Sequence, residues 1–377
     1  MFCKFQGKEP RLKIYFTGGG TGGHVFPGIA VIQEWCSTMK QQPSDILWIG
    51  SKKAMEYKIA SSYGLKFKSI ACGKLRRYFS LKNLVDVFKI IGGFFDCLFF
   101  FIIKRPDVIF SKGGYVSVPP CLAAWLLRIP FITHESDITP GLATKINSHF
   151  ASLVLTAYDV TCKMLPARVN AKSVGNPVRR QIMEGKVATG RKLVKAPKGK
   201  KILLVLGGSL GAQFINETIS KAATFLKDEC YIVQQMGEGN YKPCENEHRI
   251  TFPFFKEEFP HILASADIIL SRAGAGTLWE SAVTKKPSIL IPLGLGSSRG
   301  DQLENAKYFS NRGGAIVIPQ EECTPKLLAT KIKELLNNEV TKKNMKKALS
   351  EIANPECASL IVDEIITFLE NRELGKK

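Results

Sequence analysis

The chain has 377 residues, of which 45% are hydrophobic and 23% charged, so two folded domains are expected and wholesale disorder is excluded. The 53 Lys and Arg residues against 33 Asp and Glu residues give a formal net charge of +20, which favours an anionic partner without choosing among nucleic acid, acidic lipid and phosphorylated ligands. The ten cysteines form no CxxC pair and no zinc-like cluster, so we expect reduced thiols in the core.

The N-terminal segment has no apolar stretch of signal-peptide length, so a cytosolic location is expected. The first predicted strand, from Leu12, leads into TGGGTGGHVFPG at 17–28, and helical periodicity follows. A strand that enters a helix through glycines brings main-chain N–H groups and the positive helix end close to a ligand. This turn is therefore predicted to bind a phosphate-containing group.

His24 follows this turn directly, and Pro27 is predicted to be the first residue of the helix. A histidine at a positive helix end is expected to stay neutral and to be able to accept a proton from a hydroxyl. In the alternative interpretation His24 only hydrogen-bonds the main chain and shapes the loop.

Gly18, Gly20 and Gly23 also match the GxGxxG pattern of dinucleotide-binding proteins. A dehydrogenase needs an acidic residue near the end of the second strand to bind the ribose hydroxyls, whereas this strand is predicted to end in GSKK at 50–53. Since lysines would accept a 2′-phosphate, an NADP-dependent oxidoreductase remains an alternative.

Further short apolar strands follow along the chain, with helical patterns between them. They are predicted at Asp45–Gly50, Asp107–Ser111, Pro130–His134, Asp267–Ser271, Ser288–Pro292 and Ala315–Pro319. Buried strands that alternate with helices predict an α/β protein with parallel sheets and helices on both faces.

The most apolar segment, Ile90–Ile103, contains Asp96 and is shorter than the ~18–20 residues that cross a bilayer. Basic residues bracket it at Arg76, Arg77, Lys82, Lys89, Lys104 and Arg105. This pattern favours a helix that docks on an anionic membrane surface. A buried core helix is the alternative.

The second half of the chain repeats the first. Gly19, Gly20, Thr21 and Gly23 recur as Gly207, Gly208, Ser209 and Gly211, an offset of 188 residues (207 minus 19). Two similar α/β halves are therefore predicted, with a hinge near Asn176–Arg180. The stretch Gly185–Lys200 has no apolar periodicity and is predicted to be a surface connection.

The sequence SRAGAGTLWE at 271–280 has the same strand–turn–helix pattern. Thr277 and Glu280 fit a capping box, in which Glu280 caps its own helix. Alternatively, Glu280 accepts hydrogen bonds from both hydroxyls of a ribose at the rim of an anion site. No DxD sequence occurs, so we expect no metal ion, and helix ends and main-chain N–H groups would stabilise a departing diphosphate.

Seven motifs occur in a fixed order: TGGGTGGHVFPG (17–28), KGGYVSVP (112–119), HESDITPGLATK (134–145), GNPVR (175–179), GGSLGAQ (207–213), SRAGAGTLWE (271–280) and DQLENA (301–306). With them the chain closely resembles the MurG family of peptidoglycan N-acetylglucosaminyltransferases, from about Leu12 to beyond Ala306. The resemblance implies a GT-B fold, in which two Rossmann-like, doubly wound parallel-sheet domains face a central cleft. It divides the chain into an acceptor and membrane-facing domain at 1–178, a UDP-sugar donor domain at 179–354, and a C-terminal helix at 355–377 that could pack back on the first domain.

The same resemblance implies inverting, metal-independent transfer of N-acetylglucosamine from UDP-N-acetylglucosamine to the 4-hydroxyl of the muramyl sugar of lipid I, giving lipid II for peptidoglycan synthesis. The expected partners are these two substrates and an anionic membrane surface, without nucleic acid or a cofactor. The expected location is peripheral, on the cytoplasmic face of the plasma membrane. Another GT-B lipid glycosyltransferase, or a sugar-nucleotide epimerase, is the alternative within this fold.

Residue by residue, the resemblance places Thr21, Gly22 and Gly23 in the first glycine loop, near the transferred sugar and the acceptor diphosphate, and makes His24 a candidate base. The second glycine loop, on the acceptor side, matches Gly113, Gly114 and Tyr115. The donor-binding positions match Arg179, Ser209, Lys256, Ala275, Gly276, Thr277, Leu278, Trp279, Glu280 and Gln302. Glu280 corresponds to the ribose-binding acid, and Lys256 stands where the family usually has isoleucine and reads uracil through the main chain, so its side chain should matter little.

Asp137 departs from the family pattern, since many members have HEQN where this chain has HESD. An amide both donates and accepts hydrogen bonds, whereas an ionised carboxylate only accepts. Asp137 is therefore expected to bind substrate as an acceptor, and it is a lesser candidate for the base.

Overall fold

The computed structural model describes residues 12–52, 55–73, 81–208, 211–294 and 300–374, without the side chains of 81–84. Its strands are β1 Ile14–Thr17, β2 Leu47–Gly50, β3 Lys66–Ser69, β4 Val108–Ser111, β5 Phe131–Glu135, β6 Leu153–Thr156, β7 Ala171–Ser173, β8 Lys201–Leu206, β9 Cys230–Gln235, β10 Arg249–Phe252, β11 Ile268–Ser271, β12 Ser288–Leu290 and β13 Ala315–Val317.

Helices connect most of these strands. They are α1 Gly22–Thr38, α2 Met55–Ser62, α3 Leu81–Ile103, α4 Val118–Leu126, α5 Leu142–Ser148, α6 Asp159–Lys163, α7 Arg180–Met183, α8 Val187–Leu193, α9 Gln213–Ala222, α10 Phe259–Ser265, α11 Ala275–Val283, α12 Asp301–Asn311, α13 Pro325–Asn337, α14 Glu339–Ile352 and α15 Cys357–Leu374.

The strands form two parallel sheets of similar topology. The first has the order β3-β2-β1-β4-β5-β6-β7, and the second has the order β10-β9-β8-β11-β12-β13. In each sheet the first strand of the half lies beside its second and fourth strands, so the carboxyl ends of β1 and β4, and of β8 and β11, are neighbours. The predicted pair of doubly wound α/β sheets is confirmed.

The described residues group into two units. The first unit spans Met1–Glu135, Pro140–Val174 and Ser359–Lys377, and the second spans Ser136–Thr139 and Gly175–Ala358. The chain thus enters the second unit for four residues after β5. Most of α15 belongs to the first unit, where Glu364 forms an ion pair of 2.7 Å with Lys172 of β7.

Each unit has its own apolar core. In the second, strands β8, β9 and β11 pack against α9 and α13 through side chains such as Leu203, Ile215 and Ile332, all fully buried. In the first, one face of α3 contributes Cys97 and Phe101 to a core that includes Ile109 of β4. Strands covered on both faces are buried along their whole length, which explains their continuous apolar sequences.

Two local predictions are wrong. Helix α1 begins at Gly22, so Pro27 lies inside it as the sixth residue and removes one N–H from the helix ladder. The stretch 185–200 is not only a connection, because it contains α8, which packs on α10. Gly185 and Gly190 allow this packing, since a Cβ at either would collide with a main-chain carbonyl oxygen of α10, that of Pro260 or of His261.

The nine cysteines that the structure describes are free thiols. Burial raises the pKa of several of them, that of Cys72 to about 12. Over the described ranges, no helix has both the length and the apolar character that crossing a membrane requires.

Candidate active site

Two glycine loops meet at the carboxyl ends of β1 and β4 in the first unit. The first loop, 18–21, joins β1 to α1, and the second, 112–114, follows β4. Gly20, Gly113 and Gly114 all have positive φ angles, of 91°, 82° and 77°. A Cβ on Gly20 would lie 2.7 Å from the ring of Tyr115, and one on Gly114 would collide with the main-chain oxygen of the first loop. Glycine is therefore required for the loops to approach each other.

His24 is the third residue of α1 and is half-buried. Its Nδ1 lies 3.2 Å from the main-chain oxygen of Lys112 in the second loop. Because a carbonyl oxygen can only accept, we assign the hydrogen to Nδ1, and the neutral ring then carries its lone pair on Nε2. The loop-shaping interpretation and the proton-accepting interpretation of His24 are therefore compatible, since each uses a different ring nitrogen.

A buried lysine lies below the second loop. The side chain of Lys112 is only 1% exposed, and its Nζ lies 2.8 Å from Nδ1 of His134, which is fully buried. An ammonium group only donates, so Nδ1 of His134 is the acceptor in this bond. Both residues lie within sequence motifs, Lys112 in KGGYVSVP and His134 in HESDITPGLATK, but the sequence alone indicates no role for either.

Glu56 of α2 reaches the first glycine loop, although it belongs to no motif in the sequence. Its carboxylate is fully buried. Oε2 accepts from the N–H of Gly20 (3.3 Å), and Oε1 accepts from the N–H of Ser51 (3.1 Å). Burial raises the pKa of the Tyr115 hydroxyl, and the charge of Glu56 adds to this rise. An acid therefore does lie near the end of β2, but it comes from the following helix.

The second unit has the corresponding turn after β8. Gly208 and Gly211 adopt positive φ angles of 77° and 79°, and no atom lies within 4 Å of a Cβ built on Gly208. A cavity of about 420 Å³ opens beside this turn. The residues that border it include Gly207, Gly208, Gly211, Arg272, Thr277 and Gln302. Ser209, a predicted donor-binding residue, lies outside the described residues.

Among the described residues that border this cavity, Arg272 has the charged side chain. Its Nη1 donates to the main-chain oxygen of Ile291 (2.9 Å), and its Nη2 donates to Oε1 of Gln320 (2.6 Å). Burial lowers the pKa of the guanidinium, although an arginine side chain stays protonated in proteins. Arg272 lies inside the motif SRAGAGTLWE, but its place at the cavity is evident only in the structure.

Gln302 is the second residue of α12, and its Oε1 accepts from the N–H of Leu293 (3.1 Å). This bond orients the side chain at the cavity and ties α12 to the segment after β12. Thr277 lies at the same wall, in the first turn of α11. These two of the predicted donor-binding residues border the cavity.

Glu280 does not cap its helix, so the capping-box prediction is wrong. Helix α11 is preceded by Gly274 as the N-cap residue, which places Thr277 and Glu280 third and sixth in the helix. Instead, Oε1 of Glu280 lies 3.5 Å from Nη2 of Arg179, and both side chains are largely buried. Burial raises the pKa of Glu280, and the neighbouring Arg179 offsets part of this rise.

Other predicted donor-binding residues have different environments. Leu278 and Trp279 are each only 2% exposed, so contact with a ligand would have to use their main chain. Lys256 is exposed, in the segment between β10 and α10. Within the described ranges, these three residues, Ala275, Gly276, Glu280 and Arg179 do not border the cavity beside the glycine turn.

Asp137 lies in the short segment 136–139 of the second unit. Its Oδ1 accepts a hydrogen bond from Nδ2 of Asn305 (2.9 Å), and Oδ1 of Asn305 accepts from the N–H of Ile138 (3.1 Å). The carboxylate thus acts as an acceptor toward another side chain of the protein. Its role toward a substrate remains a prediction.

Two doubly wound parallel sheets in one chain, each with a glycine turn after its first strand, define a protein of the GT-B type. The sequence matches the Glycosyltransferase family 28 N-terminal domain over residues 14–156 and the family 28 C-terminal domain over residues 202–361. The chain therefore belongs to glycosyltransferase family 28 and is a glycosyltransferase.

Two curated relatives carry the same name, UDP-N-acetylglucosamine–N-acetylmuramyl-(pentapeptide) pyrophosphoryl-undecaprenol N-acetylglucosamine transferase. The relative from Treponema denticola is 41% identical, with 95% of this chain and 98% of the relative covered. The relative from Treponema pallidum subsp. pallidum is also 41% identical, with 95% and 96% covered. The crystal structure of Acinetobacter baumannii MurG has the same fold, with a TM-score of 0.70 at 24% identity over 94% of this chain and 99% of that one. The resemblance to the MurG family is confirmed.

Proposed function

We propose that this protein transfers N-acetylglucosamine from UDP-N-acetylglucosamine to the 4-hydroxyl of the muramyl sugar of lipid I, forming lipid II and UDP. The observation that carries this proposal is the 41% identity, over nearly the whole length of both chains, to transferases named for this reaction. Family membership favours a transferase over the NADP-dependent oxidoreductase. We assign the acceptor to residues 1–178 and the donor to residues 179–354.

On the donor side, the cavity beside the second glycine turn would receive the diphosphate of UDP. Main-chain N–H groups and the start of α9 supply partial positive charge there, and Arg272 supplies a full one. Gln302 and Thr277 offer polar groups to the sugar. Glu280, held by Arg179, would accept hydrogen bonds from the ribose hydroxyls. In this arrangement the protein itself stabilises the charge of departing UDP, and no metal ion is needed.

On the acceptor side, His24 would act as the base. Nδ1 donates to the Lys112 carbonyl, so Nε2 is the nitrogen that accepts the proton of the 4-hydroxyl. The hydroxyl oxygen then bonds to the anomeric carbon on the face opposite UDP, while the bond from that carbon to the phosphate oxygen breaks. The anomeric configuration is inverted, the proton stays on His24, and UDP carries away the bonding electrons.

We further propose that the protein docks peripherally on an anionic membrane, at the cytoplasmic face of the plasma membrane where lipid I would be met. The support is α3, whose outer face leaves Phe88, Phe99 and Ile103 exposed by 66%, 63% and 80%. On α4, which packs against α3, Trp125 and Leu126 are each about half exposed. The exposed Lys104 and Arg105 follow α3, whereas Arg76, Arg77 and the side chain of Lys82 lie outside what the structure describes. Cations around an exposed apolar face suit anionic lipids.

A single assay tests the proposed reaction. The purified protein is incubated with UDP-N-acetylglucosamine and a lipid I analogue, in the presence of EDTA, and UDP release is followed. We expect release only when both substrates are present. Release without the acceptor, release only with a different lipid, or inactivity until a divalent cation is restored would each contradict the proposal, and the second result would favour another lipid glycosyltransferase.

A further inference from the structure

The two repeated glycine turns differ in what lies against them. The turn after β8 borders an open cavity, and a Cβ on Gly208 would meet no atom within 4 Å. The turn after β1 instead contacts a carboxylate of the protein itself, that of Glu56. A Cβ on Gly19 would lie 2.6–2.8 Å from the carboxylate atoms of Glu56. The two turns are therefore similar in sequence, but an open cavity lies beside the second turn and a carboxylate fills the corresponding space beside the first.

The Glu56 carboxylate joins the ends of two strands. Its two oxygens accept one main-chain N–H each, from Gly20 after β1 and from Ser51 after β2. Main-chain N–H groups in a glycine turn are what a ligand phosphate would otherwise bind. Since the carboxylate is fully buried against the turn, a phosphate cannot take the same place without displacing it.

The bonds of Glu56 also limit the motion of the loop that leads to His24. Gly20 has a φ of 91°. Because glycine has no Cβ, its main chain can adopt many other conformations, so a contact from outside the loop is needed to fix this one. Glu56 supplies this contact from one side, and the ring of Tyr115 lies on the other. Only three residues separate Gly20 from His24, whose Nδ1 must reach the Lys112 carbonyl.

We propose that Glu56 is a positioning residue, which binds the main-chain N–H of Gly20 in the first glycine turn and holds the loop that presents Thr21 and His24 to the acceptor. This inference rests on the proposed function, because it concerns the acceptor half of the same reaction.

The test is Glu56→Gln, which keeps the size of the side chain. An amide has one acceptor oxygen and an NH₂ donor, so one of the two main-chain N–H groups would face a donor. We expect kcat/KM for the lipid I analogue to fall about 10- to 100-fold, as for loss of a buried charged hydrogen bond. The KM for UDP-N-acetylglucosamine and the affinity for UDP should change less than about twofold. Lys58→Gln, an exposed position on the same helix, is the control and should match wild type.

A second pair of variants serves even if Glu56→Gln is poorly folded. Gly19 does not have a positive φ, so alanine is allowed there apart from its collision with the Glu56 carboxylate. Gly19→Ala alone should therefore reproduce the acceptor defect. In a Glu56→Ala background, where the space is vacated, Gly19→Ala should add little further loss. Such non-additivity is the signature of two groups competing for one place.

The outcomes separate this inference from the proposed function. If the wild-type protein releases no UDP with both substrates, the proposed function fails. If wild type is active and Glu56→Gln matches Lys58→Gln, the positioning role is overturned. It is equally overturned if donor KM rises as much as acceptor KM, or if the Gly19 and Glu56 effects simply add, since either result indicates general destabilisation.

Discussion

Nη2 of Arg179 lies 3.5 Å from Oε1 of Glu280, and this ion pair fixes the position of the Glu280 carboxylate. From the sequence alone, the same carboxylate could have been a helix cap. The cap position belongs to Gly274, so Glu280 has no structural duty at the start of α11. An ion pair in a largely buried place leaves the second carboxylate oxygen as a further acceptor. That is the arrangement a ribose with two adjacent hydroxyls would use.

Replacing Glu280 with alanine should weaken donor binding. Loss of a charged acceptor to the ribose, with Arg179 left without its carboxylate, should raise the KM for UDP-N-acetylglucosamine about 10-fold or more, and the KM for the acceptor should stay close to wild type. Steady-state kinetics with each substrate varied in turn measures both. Glu334→Ala removes an exposed carboxylate from the same unit and is the control. An unchanged donor KM would rule out the ribose role.

Arg179→Met should make donor binding pH-dependent. Burial raises the pKa of Glu280 and Arg179 opposes this, so the variant carboxyl takes up a proton at a higher pH than in wild type. UDP affinity of the variant should fall as the pH is lowered through the mildly acidic range, and this fall should begin at a higher pH than in wild type. The free energy of unfolding of the variant should depend on pH in the opposite direction. Because the pKa of Glu280 is higher in the folded than in the unfolded state, the folded form is favoured at low pH, and this stability is lost as the pH rises through the folded-state pKa. Titration calorimetry and thermal melts across this pH range would test both slopes.

Much of the fold could be predicted because most of its strands are short apolar segments that alternate with amphipathic helices. Three of the strands that sequence reasoning missed have physical reasons for their weak signal. Edge strand β3 is mostly exposed, and edge strand β7 is short and partly exposed, so neither has an apolar run. Strand β9 is fully buried, but its polar Gln234 and Gln235 hydrogen-bond to other side chains and the main chain, which disguises a core strand. Strand β6, in contrast, is fully buried and has the continuous apolar sequence LVLT, which is typical of a core strand.

The site was predictable only where a motif supplied it. Glycine loops are recognisable in a sequence, because glycine is required at each position where the main chain of the loop closely approaches another group. Glu56 could not be found this way because it contacts Gly20 across 36 residues, through the packing of α2. For Arg272 the signal was present in the motif, but only the structure shows that its side chain borders the cavity.

Replacing His24 with alanine should reduce turnover about 10²–10⁴-fold if Nε2 is the base. The control is His149→Ala, since Nδ1 of His149 also donates to a main-chain carbonyl but lies in an exposed position. Single-turnover rates and acceptor affinity should be measured together. A loss below tenfold with acceptor binding intact would reject the base and leave His24 with its loop contact to Lys112.

Asp137→Asn distinguishes an acceptor from a base. The amide oxygen of asparagine can still accept from Nδ2 of Asn305, so as an acceptor the residue should tolerate the change, with turnover within about threefold and a stability loss of about 1 kcal/mol or less. As a base it cannot be replaced by an amide, and turnover would fall at least about 100-fold. Turnover and thermal unfolding should be measured on the same preparation. A fall in turnover of about 100-fold or more without a change in thermal unfolding would identify Asp137, and not His24, as the base.

Phe99→Asp should abolish docking on anionic membranes. Phe99 is 63% exposed on α3, and its insertion among lipid chains would contribute about 1.5–3 kcal/mol, so an aspartate there should lower partitioning at least about tenfold. Flotation with anionic liposomes measures the bound fraction, with Phe225→Asp, at a half-exposed phenylalanine of the second unit, as the matched control. Salt at about 0.5 M, which shortens electrostatic screening to roughly 4 Å, should weaken binding of wild type because the flanking cations attract the lipid head groups. If binding survives both the substitution and the salt, α3 does not dock the protein on the membrane.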